Sequence, residues 1–494
     1  MKVLVELRPA FDRHGGIPQE TRLLFRSLSR LEGVEVQGLI QSSNLVVEPG
    51  LPAEPLALPE SQRIDRLSKV VMSLQQGPSS HRLEHWRKRL LRWAGAPAAV
   101  LGSLLGRSLA LTHFDPAPFK DFVWRSMFSR TLTLDDFDLV TTRRYRVLRW
   151  PWALLNAIGV ATGLLGRALY PRLDTQGLDV LVVETPYPGR VRRGTQLVVR
   201  YHDAIPMLMP YTIKDRGLHR AMHWQALKRN AADGAWFACV SEATRQDLIS
   251  LLPEVAPRAV TIPNLIAPQF GPTDEDASRV PEIIWSRKNR HAPHGGGAAL
   301  PAGGGEPLRY LLMVSTLEPR KNHLTLLDAW ELLRARGHAG LQLVCVGGLG
   351  WEHGAILERL GPWLERGGVH LLHDVPADDL KLLYHHAAAT VCPSFGEGFD
   401  FSGVEAMQCG GVVVASDIPV HREVYADAAE YCSPYAAQDM AAAIARVVDP
   451  DAQDRRVCLR QLGTANAARF STEAVLPAWA ALLERLRGGA SASR

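Results

Sequence analysis

The sequence has few cysteines, and none of them form a close pair. Its 494 residues include six cysteines, and no two of these stand at C-x-x-C spacing. This scarcity argues against a zinc ribbon and against a small disulfide-stapled scaffold. Dispersed cysteines are typical of proteins in a reduced compartment, so we expect a cytoplasmic protein.

The sequence also lacks an apolar leader and a strong charge excess. Glu6 and Arg8 interrupt the apolar start, which predicts a first buried strand rather than a signal peptide. The formal net charge is only +5, and nucleic-acid-binding proteins usually concentrate far more basic charge, so no nucleic-acid partner is expected. Apolar residues make up 46% of the chain, which excludes disorder of the whole, and the length suggests two or three cores.

Two series of alternating strands and helices are separated by a Gly- and Pro-rich segment. The first series occupies residues 1–270, where residues 48–175 interrupt the pattern, and the second occupies residues 307–470. Residues 271–306 contain two runs of three glycines, a composition typical of a linker. Residues 471–494 predict a final amphipathic helix. The pattern predicts an α/β protein with two Rossmann-like, doubly wound domains.

The interrupting segment is basic and rich in tryptophan, and we interpret it as a helical insertion in the first domain. Its basic residues 82–92 and its apolar run 150–166 together allow three interpretations: a buried helix, a helix lying on anionic lipid, and a membrane-spanning helix. The run has 17 residues and contains Pro151, whereas a span needs about 20 apolar residues. We favour the buried helix and keep peripheral contact with the inner face of an anionic membrane as the alternative.

The most informative motif covers residues 393–406, between a predicted buried strand and a predicted helix. Gly396 and Gly398 allow the backbone to approach a ligand closely. Glu397 lies on the loop and Glu405 about two turns into the helix, so two carboxylates can accept hydrogen bonds from two ends of a polyhydroxylated ligand. The alternative interpretation is a glycine-rich turn with two solvated glutamates.

A second motif places two cations directly after another predicted strand. Arg320 offers a planar fork of donors and Lys321 a mobile point charge, a combination that suits a diphosphate. A surface ion-pair cluster with Glu318 is the alternative. No acidic pair stands beside the two motifs to recruit a metal, so we expect no metal and no cofactor, with the cations stabilising a departing diphosphate.

These segments, with two others, resemble the retaining glycosyltransferases of family four. The resemblance is carried by residues 240–248, 315–322, 393–406 and 416–424. It implies a GT-B fold, in which two Rossmann-like domains face a cleft. The C-terminal domain would bind a nucleotide diphosphate sugar as co-substrate, the N-terminal domain would bind the acceptor, and the last helix would return to the N-terminal domain.

The resemblance also implies roles for individual residues. Arg320 and Lys321 would hold the donor diphosphate, and Glu397 would contact the donor sugar. His202, which follows a strand of the first domain, would bind a sugar hydroxyl or the transition state. The remaining donor-binding positions implied by the match are Gly15, Gly16, Gly398, Phe399, Asp400, Phe401 and Glu405, the last of which would take the ribose hydroxyls.

The favoured function is therefore metal-independent, retaining transfer of a hexose to a glycan or lipid-linked glycan in polysaccharide biosynthesis. Mannose from GDP-mannose is the first choice of donor, from likeness to bacterial polysaccharide mannosyltransferases. The alternatives are a sugar-nucleotide epimerase or phosphorylase on the same fold, or a non-catalytic glycan- or nucleotide-binding scaffold. A phosphorylase would need a cofactor lysine, and Lys321 is the only lysine near the predicted crevice.

Overall fold

The computed structural model describes residues 1–492 apart from several short gaps and two longer ones. The gaps are residues 13–14, 53–57, 76–94, 96, 99–100, 103–104, 165, 214–215 and 288–307. The basic residues 82–92 and most of the glycine-rich linker therefore lie outside the described residues. The described chain forms two β-sheets of eight and six strands, each covered by helices.

The first sheet is parallel except at one edge. Its strand order is β3-β4-β2-β1-β5-β6-β7-β8, and only β3 runs antiparallel to its neighbour among the strands described. Val180–Val183 is buried at every position, as expected for a strand covered on both faces. The strands are β1 Lys2–Glu6, β2 Glu35–Ile40, β3 Leu111–Phe114, β4 Arg144–Leu148, β5 Val180–Val183, β6 Gln196–Tyr201, β7 Trp236–Cys239 and β8 Ala259–Thr261.

The segment 48–175, predicted as a helical insertion, contains helices and also two strands of the main sheet. This segment contains β3 and β4, and β4 pairs in parallel with β2 as part of the main sheet. Tyr145 and Val147 are buried on β4, whereas Arg144 is exposed and Arg146 donates to Gln37 on the neighbouring strand. The alternation of arginines with apolar residues is thus a strand pattern with a period of two residues, and the basic composition concealed it.

Helices cover both faces of this sheet. The helix Trp152–Gly163 corresponds to the apolar run, and its Leu155 and Asn156 are fully buried. Within the described part of the chain, no helix has both the length and the apolar character needed to cross a membrane. The longer α-helices of this half are Gly16–Leu28, Glu60–Gln75, Trp152–Gly163, Arg216–Ala232 and Glu242–Leu251.

The second sheet is entirely parallel over its described strands, in the order β11-β10-β9-β12-β13-β14. Its strands are β9 Tyr310–Val314, β10 Gln342–Val346, β11 Val369–Leu372, β12 Ala389–Cys392, β13 Val413–Ser416 and β14 Ala429–Cys432. The α-helices on its faces are His323–Ala335, Gly354–Arg366, Ala377–His386, Phe401–Gln408, Pro419–Tyr425, Ala437–Val448 and Gln453–Ala467.

The last helix, Thr472–Ala492, packs on the first domain. Its Trp479 is fully buried beneath Arg200 of β6, whose guanidinium lies 5.5 Å from the ring centre. Arg485 lies 4.5 Å above the ring of Trp236 at the start of β7. The chain therefore passes between the two domains twice, and the carboxyl ends of both parallel sheets face the space between them, where ligands bind in open α/β sheets.

Candidate active site

Residues 393–400, here called the Glu397 loop, connect β12 to the helix Phe401–Gln408. The loop lies beside Pro319–Lys321, the short 3₁₀ helix that follows β9. The backbone N–H of Phe395 donates to the Arg320 carbonyl at 3.0 Å, and Arg320 Nη1 donates to the Gly396 carbonyl at 2.6 Å. The two motifs predicted from the sequence are therefore adjacent in the structure.

Glu397 is a nearly buried carboxylate held by both predicted diphosphate cations. Lys321 Nζ lies 2.7 Å from Glu397 Oε1, and Arg320 Nη1 lies 2.6 Å from Oε2. Arg320 also contacts Glu318 at 2.9 Å. Burial alone would raise the pKa of Glu397, but Arg320 and Lys321 outweigh it, so the net pKa is lowered and the carboxylate is charged.

Asp400 joins this loop to the helix that follows. It has a positive φ of 66°, and it caps the helix by accepting hydrogen bonds from the backbone N–H and hydroxyl of Ser402. Its Oδ2 lies 3.2 Å from His421 Nε2. Burial would raise the pKa of Asp400, but the bond to His421 and the charge of Lys321 keep it well below its usual range. The capped helix directs its N-terminus and positive dipole end toward the Glu397 loop.

Glu405 is buried one helix turn beyond the cap and makes a contact across the domains. Gln19 Nε2 donates to Glu405 Oε1 at 2.7 Å, and Tyr384 OH donates to Oε2 at 3.0 Å. Burial raises the pKa of Glu405 to about 7, although both hydrogen bonds oppose the shift. Gln19 belongs to the helix Gly16–Leu28, so the glycine loop of the first domain stands opposite this carboxylate.

His202 lies directly after β6 and contacts a buried glutamate. Its Nε2 is 3.2 Å from Glu184 Oε2, which follows β5. Burial, reinforced by the Arg200 charge, lowers the pKa of His202 to about 4, so the imidazole is neutral near pH 7. Burial raises the pKa of Glu184 to about 8. His202 and Glu184 thus form a largely uncharged pair at neutral pH.

The two domains approach each other closely at two of the predicted glycines, Gly398 and Gly16. A Cβ on Gly398 would stand 1.7 Å from the His202 carbonyl oxygen, so only glycine fits at this contact. Gly16, directly after Gly15, would bring a Cβ to 3.2 Å from the Phe401 ring. Phe399 is buried against Phe401, with ring centres 5.3 Å apart.

The structure therefore brings the predicted residues of both domains to one interdomain cleft. Sequence reasoning missed Glu184 and Gln19, both of which contact predicted site residues. Glu184 comes directly after the apolar run Val180–Val183, so its position at a strand end was an available signal. Among the described residues, no group of three or more His, Cys, Asp or Glu side chains is arranged to hold a metal ion. The prediction that no metal is needed stays a prediction.

Comparison with known proteins shows what the C-terminal domain is similar to. Residues 309–449 match the family model described as Glycosyl transferases group 1. O-antigen chain mannosyltransferase B of Escherichia coli is 29% identical over 287 residues, which are 58% of this chain and 68% of that protein. The serotype-specific mannosyltransferase WbdA of Escherichia coli is 31% identical over 248 residues, which are 49% of this chain but only 28% of that much longer protein.

The fold of the whole chain has a counterpart among solved structures. Sucrose-phosphate synthase from Thermosynechococcus elongatus superposes with a TM-score of 0.59 over 99% of each chain, at 15% sequence identity. This likeness concerns the fold alone. The predicted GT-B fold is confirmed at this level, and the resemblance inferred from the motifs agrees with the family model for glycosyl transferases group 1 that residues 309–449 match.

Proposed function

We propose that this protein is a retaining, metal-independent glycosyltransferase. It transfers a hexose from a nucleotide diphosphate sugar to a hydroxyl group of a glycan or lipid-linked glycan. The observation that carries the proposal is the buried cluster in which Arg320 and Lys321 both contact Glu397, across the cleft from His202. The match of residues 309–449 to the family model for glycosyl transferases group 1 supports the reaction class.

The two cations supply the charge that a departing diphosphate needs. Arg320 and Lys321 are already positioned by the Glu397 carboxylate, so little reorganisation is required when a diphosphate arrives. Glu397 and Glu318 face the two cations in this structure, so an arriving diphosphate would compete with these carboxyl groups for the donors of Arg320 and Lys321. Stabilisation of the leaving group by fixed cations takes the place of a divalent metal in this proposal.

Hydroxyl groups of the donor are bound on either side of the diphosphate. The charged Glu397 carboxylate accepts hydrogen bonds from the transferred sugar, assisted by backbone N–H groups of Phe399 to Phe401. Glu405 accepts the ribose hydroxyls through the lone pairs that Gln19 and Tyr384 leave free on its two oxygens. Burial raises the pKa of Glu405 to about 7, so both protonation states of its carboxyl group are populated near neutral pH.

Retention follows if the acceptor attacks the face of the sugar that the diphosphate leaves. The bond between the anomeric carbon and the phosphate oxygen breaks, the bond to the acceptor oxygen forms on the same face, and the phosphate oxygen takes the acceptor proton. His202 has a pKa near 4 and is neutral, so it serves as a hydrogen-bonding group rather than a proton donor at neutral pH.

Mannose is the proposed sugar and GDP-mannose the proposed donor. The support is that both curated relatives described above are mannosyltransferases by name, one of O-antigen chains. An acceptor within a growing bacterial surface polysaccharide follows from the same likeness. The chain matches 28% of the length of WbdA, so the activity of that whole protein is not transferred to this one.

A panel of nucleotide sugars tests the function. Purified protein is incubated with GDP-mannose, UDP-glucose, UDP-N-acetylglucosamine and UDP-galactose, with and without a mannose oligosaccharide, and nucleotide release is measured. We expect release with GDP-mannose, unchanged in EDTA, and an α-linked product by NMR. A β-linked product would overturn retention. Loss of activity in EDTA that returns with magnesium or manganese would overturn metal independence, and no release with any donor would overturn the function.

A further inference from the structure

A cavity of about 950 Å³ opens beside the Glu397 loop, and Glu397 is the one proposed donor contact of the described residues that lines it. We call it the aromatic cavity. Its walls come from the Glu397 loop, the segments that follow β13 and β14, and the helix Glu242–Leu251 of the first domain. Glu397 lines it, whereas Arg320, Lys321, Glu405 and His202 are not among its lining residues.

The cavity presents an aromatic platform. The rings of Phe395 and Tyr435 are stacked, with centres 5.3 Å apart and planes inclined by 26°. Tyr435 is 77% exposed, although a large aromatic side chain gains most by being buried. An exposed tyrosine fixed in a stack offers one flat apolar face and one polar tip, which suits a ligand that has both kinds of surface.

The platform is rigid and tied to the proposed diphosphate site. The side-chain amide of Asn322 donates to the carbonyl of Pro393 at 2.9 Å and to the carbonyl of Pro434 at 2.8 Å. One amide group therefore holds the loop of Phe395 and the loop of Tyr435 together. Asn322 directly follows Lys321, so the cavity is positioned by the same segment that positions the cations.

The charge of the cavity selects among ligands. Asp247 and Asp439 line it. Among the described residues that line it, there is no lysine or arginine. A phosphate group would be repelled there. Neutral hydroxyl groups would be accepted, because carboxylate oxygens accept hydrogen bonds from them. Over the described ranges no donor lies within hydrogen-bond distance of the Asp247 carboxylate, whereas Asp439 Oδ2 already accepts from the backbone N–H of Ser433 at 2.6 Å and leaves its other oxygen for a ligand.

We propose that the aromatic cavity binds a neutral sugar unit of the glycan acceptor, with the apolar face of the ring on Tyr435 and its hydroxyls toward Asp247 and Asp439. The proposal rests on the proposed function, which supplies the acceptor. Glu397 lies at the boundary between the cavity and the cations, so a glycan seated here reaches the transferred sugar. The protein would therefore prefer acceptors of several sugar units.

The test compares acceptors of different length in the full chain. Wild type, Tyr435→Ala and Tyr435→Phe are assayed for GDP-mannose hydrolysis without acceptor, and for transfer to mannose and to mannotetraose. In Tyr435→Ala we expect the KM for mannotetraose to rise about tenfold, because a ring stacked on the sugar is lost. Hydrolysis and the KM for mannose should stay within about twofold of wild type. Tyr435→Phe keeps the ring and should resemble wild type.

Trp285→Ala removes an exposed aromatic residue that does not line the cavity, and it should change none of these values. An equal KM for mannotetraose in wild type and Tyr435→Ala would overturn the proposal while leaving the proposed function intact. A rise in the KM for GDP-mannose alone would assign the cavity to the donor and overturn it as well.

A binding measurement separates this proposal from the proposed function. Saturation-transfer NMR with mannotetraose needs no turnover, and we expect a signal with wild type that is lost in Tyr435→Ala. If wild type neither hydrolyses nor transfers any sugar yet shows this signal, the function fails and the cavity assignment stands. If wild type is active but gives no Tyr435-dependent signal, the cavity assignment fails.

Discussion

The carboxylate of Glu423 accepts a hydrogen bond from the backbone N–H of Ala243 at 2.8 Å, and the two residues belong to different domains. The second carboxylate oxygen accepts from the N–H of Glu242 at 2.6 Å. A side chain of the C-terminal domain thus caps a helix of the N-terminal domain, where the helix dipole favours a negative charge. Nearby, Ser241 Oγ donates to the Gly398 carbonyl at 2.8 Å, which fixes the Glu397 loop against the first domain.

Glu423→Gln should weaken closure of the cleft. Charge-assisted hydrogen bonds contribute more than neutral ones, so we expect kcat/KM to fall about tenfold or more. The radius of gyration from small-angle scattering should increase. Glu358→Gln changes an exposed glutamate on another helix and should leave both quantities at their wild-type values. Wild-type kcat/KM in Glu423→Gln would mean that this contact does not control closure.

Arg320→Met should lower both turnover and stability. Loss of one fixed cation should reduce kcat by about 10²–10³, the scale of losing one transition-state donor. The melting temperature should also fall, because Glu397 keeps only one of its two buried partners. Adding Glu397→Gln should recover part of the melting temperature without restoring turnover. Arg359→Ala, which breaks an exposed ion pair, is the control. Recovery of turnover in the double variant would contradict a role for Arg320 at the diphosphate.

Glu405 should make stability depend on pH. Its pKa rises from 4.5 to about 7 on folding, so between these values the folded state binds more protons than the unfolded state. Stability contributed by this group is therefore fully present below about pH 4.5 and is lost as pH rises toward about 7. Relative to Glu405→Gln, the wild-type melting temperature should fall over this window and stay level above it. If the difference in melting temperature between the two proteins does not change with pH over this window, the pKa of Glu405 is not raised on folding.

The basic residues of the first domain should promote binding to anionic membranes. Arg87, Lys88, Arg89 and Arg92 lie outside the described residues, and each would contribute roughly 1 kcal/mol near an anionic surface. Wild type should pellet with liposomes that contain anionic lipid, and less so as salt rises. Replacing all four by Gln should weaken pelleting while transfer to mannotetraose persists. If neither protein pellets with liposomes, peripheral binding through this segment is excluded.

The sequence was most informative where apolar runs end in polar residues. Parallel strands covered on both faces are continuous apolar runs, so β9 and β12 and the polar segments after them could be predicted, and with them Arg320, Lys321 and Glu397. Strand β4 could not be predicted in this way, because Arg144 and Arg146 made its alternating pattern look like part of a basic helical segment.

Contacts between the domains were beyond sequence reasoning for a physical reason. The pairing of Glu423 with Ala243, or of Gln19 with Glu405, depends on how two separately packed cores are oriented. No local periodicity specifies that orientation. The contact of Gly398 with the His202 carbonyl also depends on the orientation of the two domains. The sequence identified the glycine but not this contact.

The two passages of the chain between the domains lie side by side. The backbone N–H of Ile266 donates to the carbonyl of Phe470 at 3.0 Å, so both passages are joined at one place. Two chain connections that are joined at one point act as a single hinge. Such a hinge permits rotation of the domains and resists their sliding past each other. Phe399 packs edge-on against Phe470, with ring centres 5.1 Å apart, so the Glu397 loop is anchored at the hinge itself. Opening would therefore swing the outer rims of the cleft apart while this loop stays near the centre of the motion.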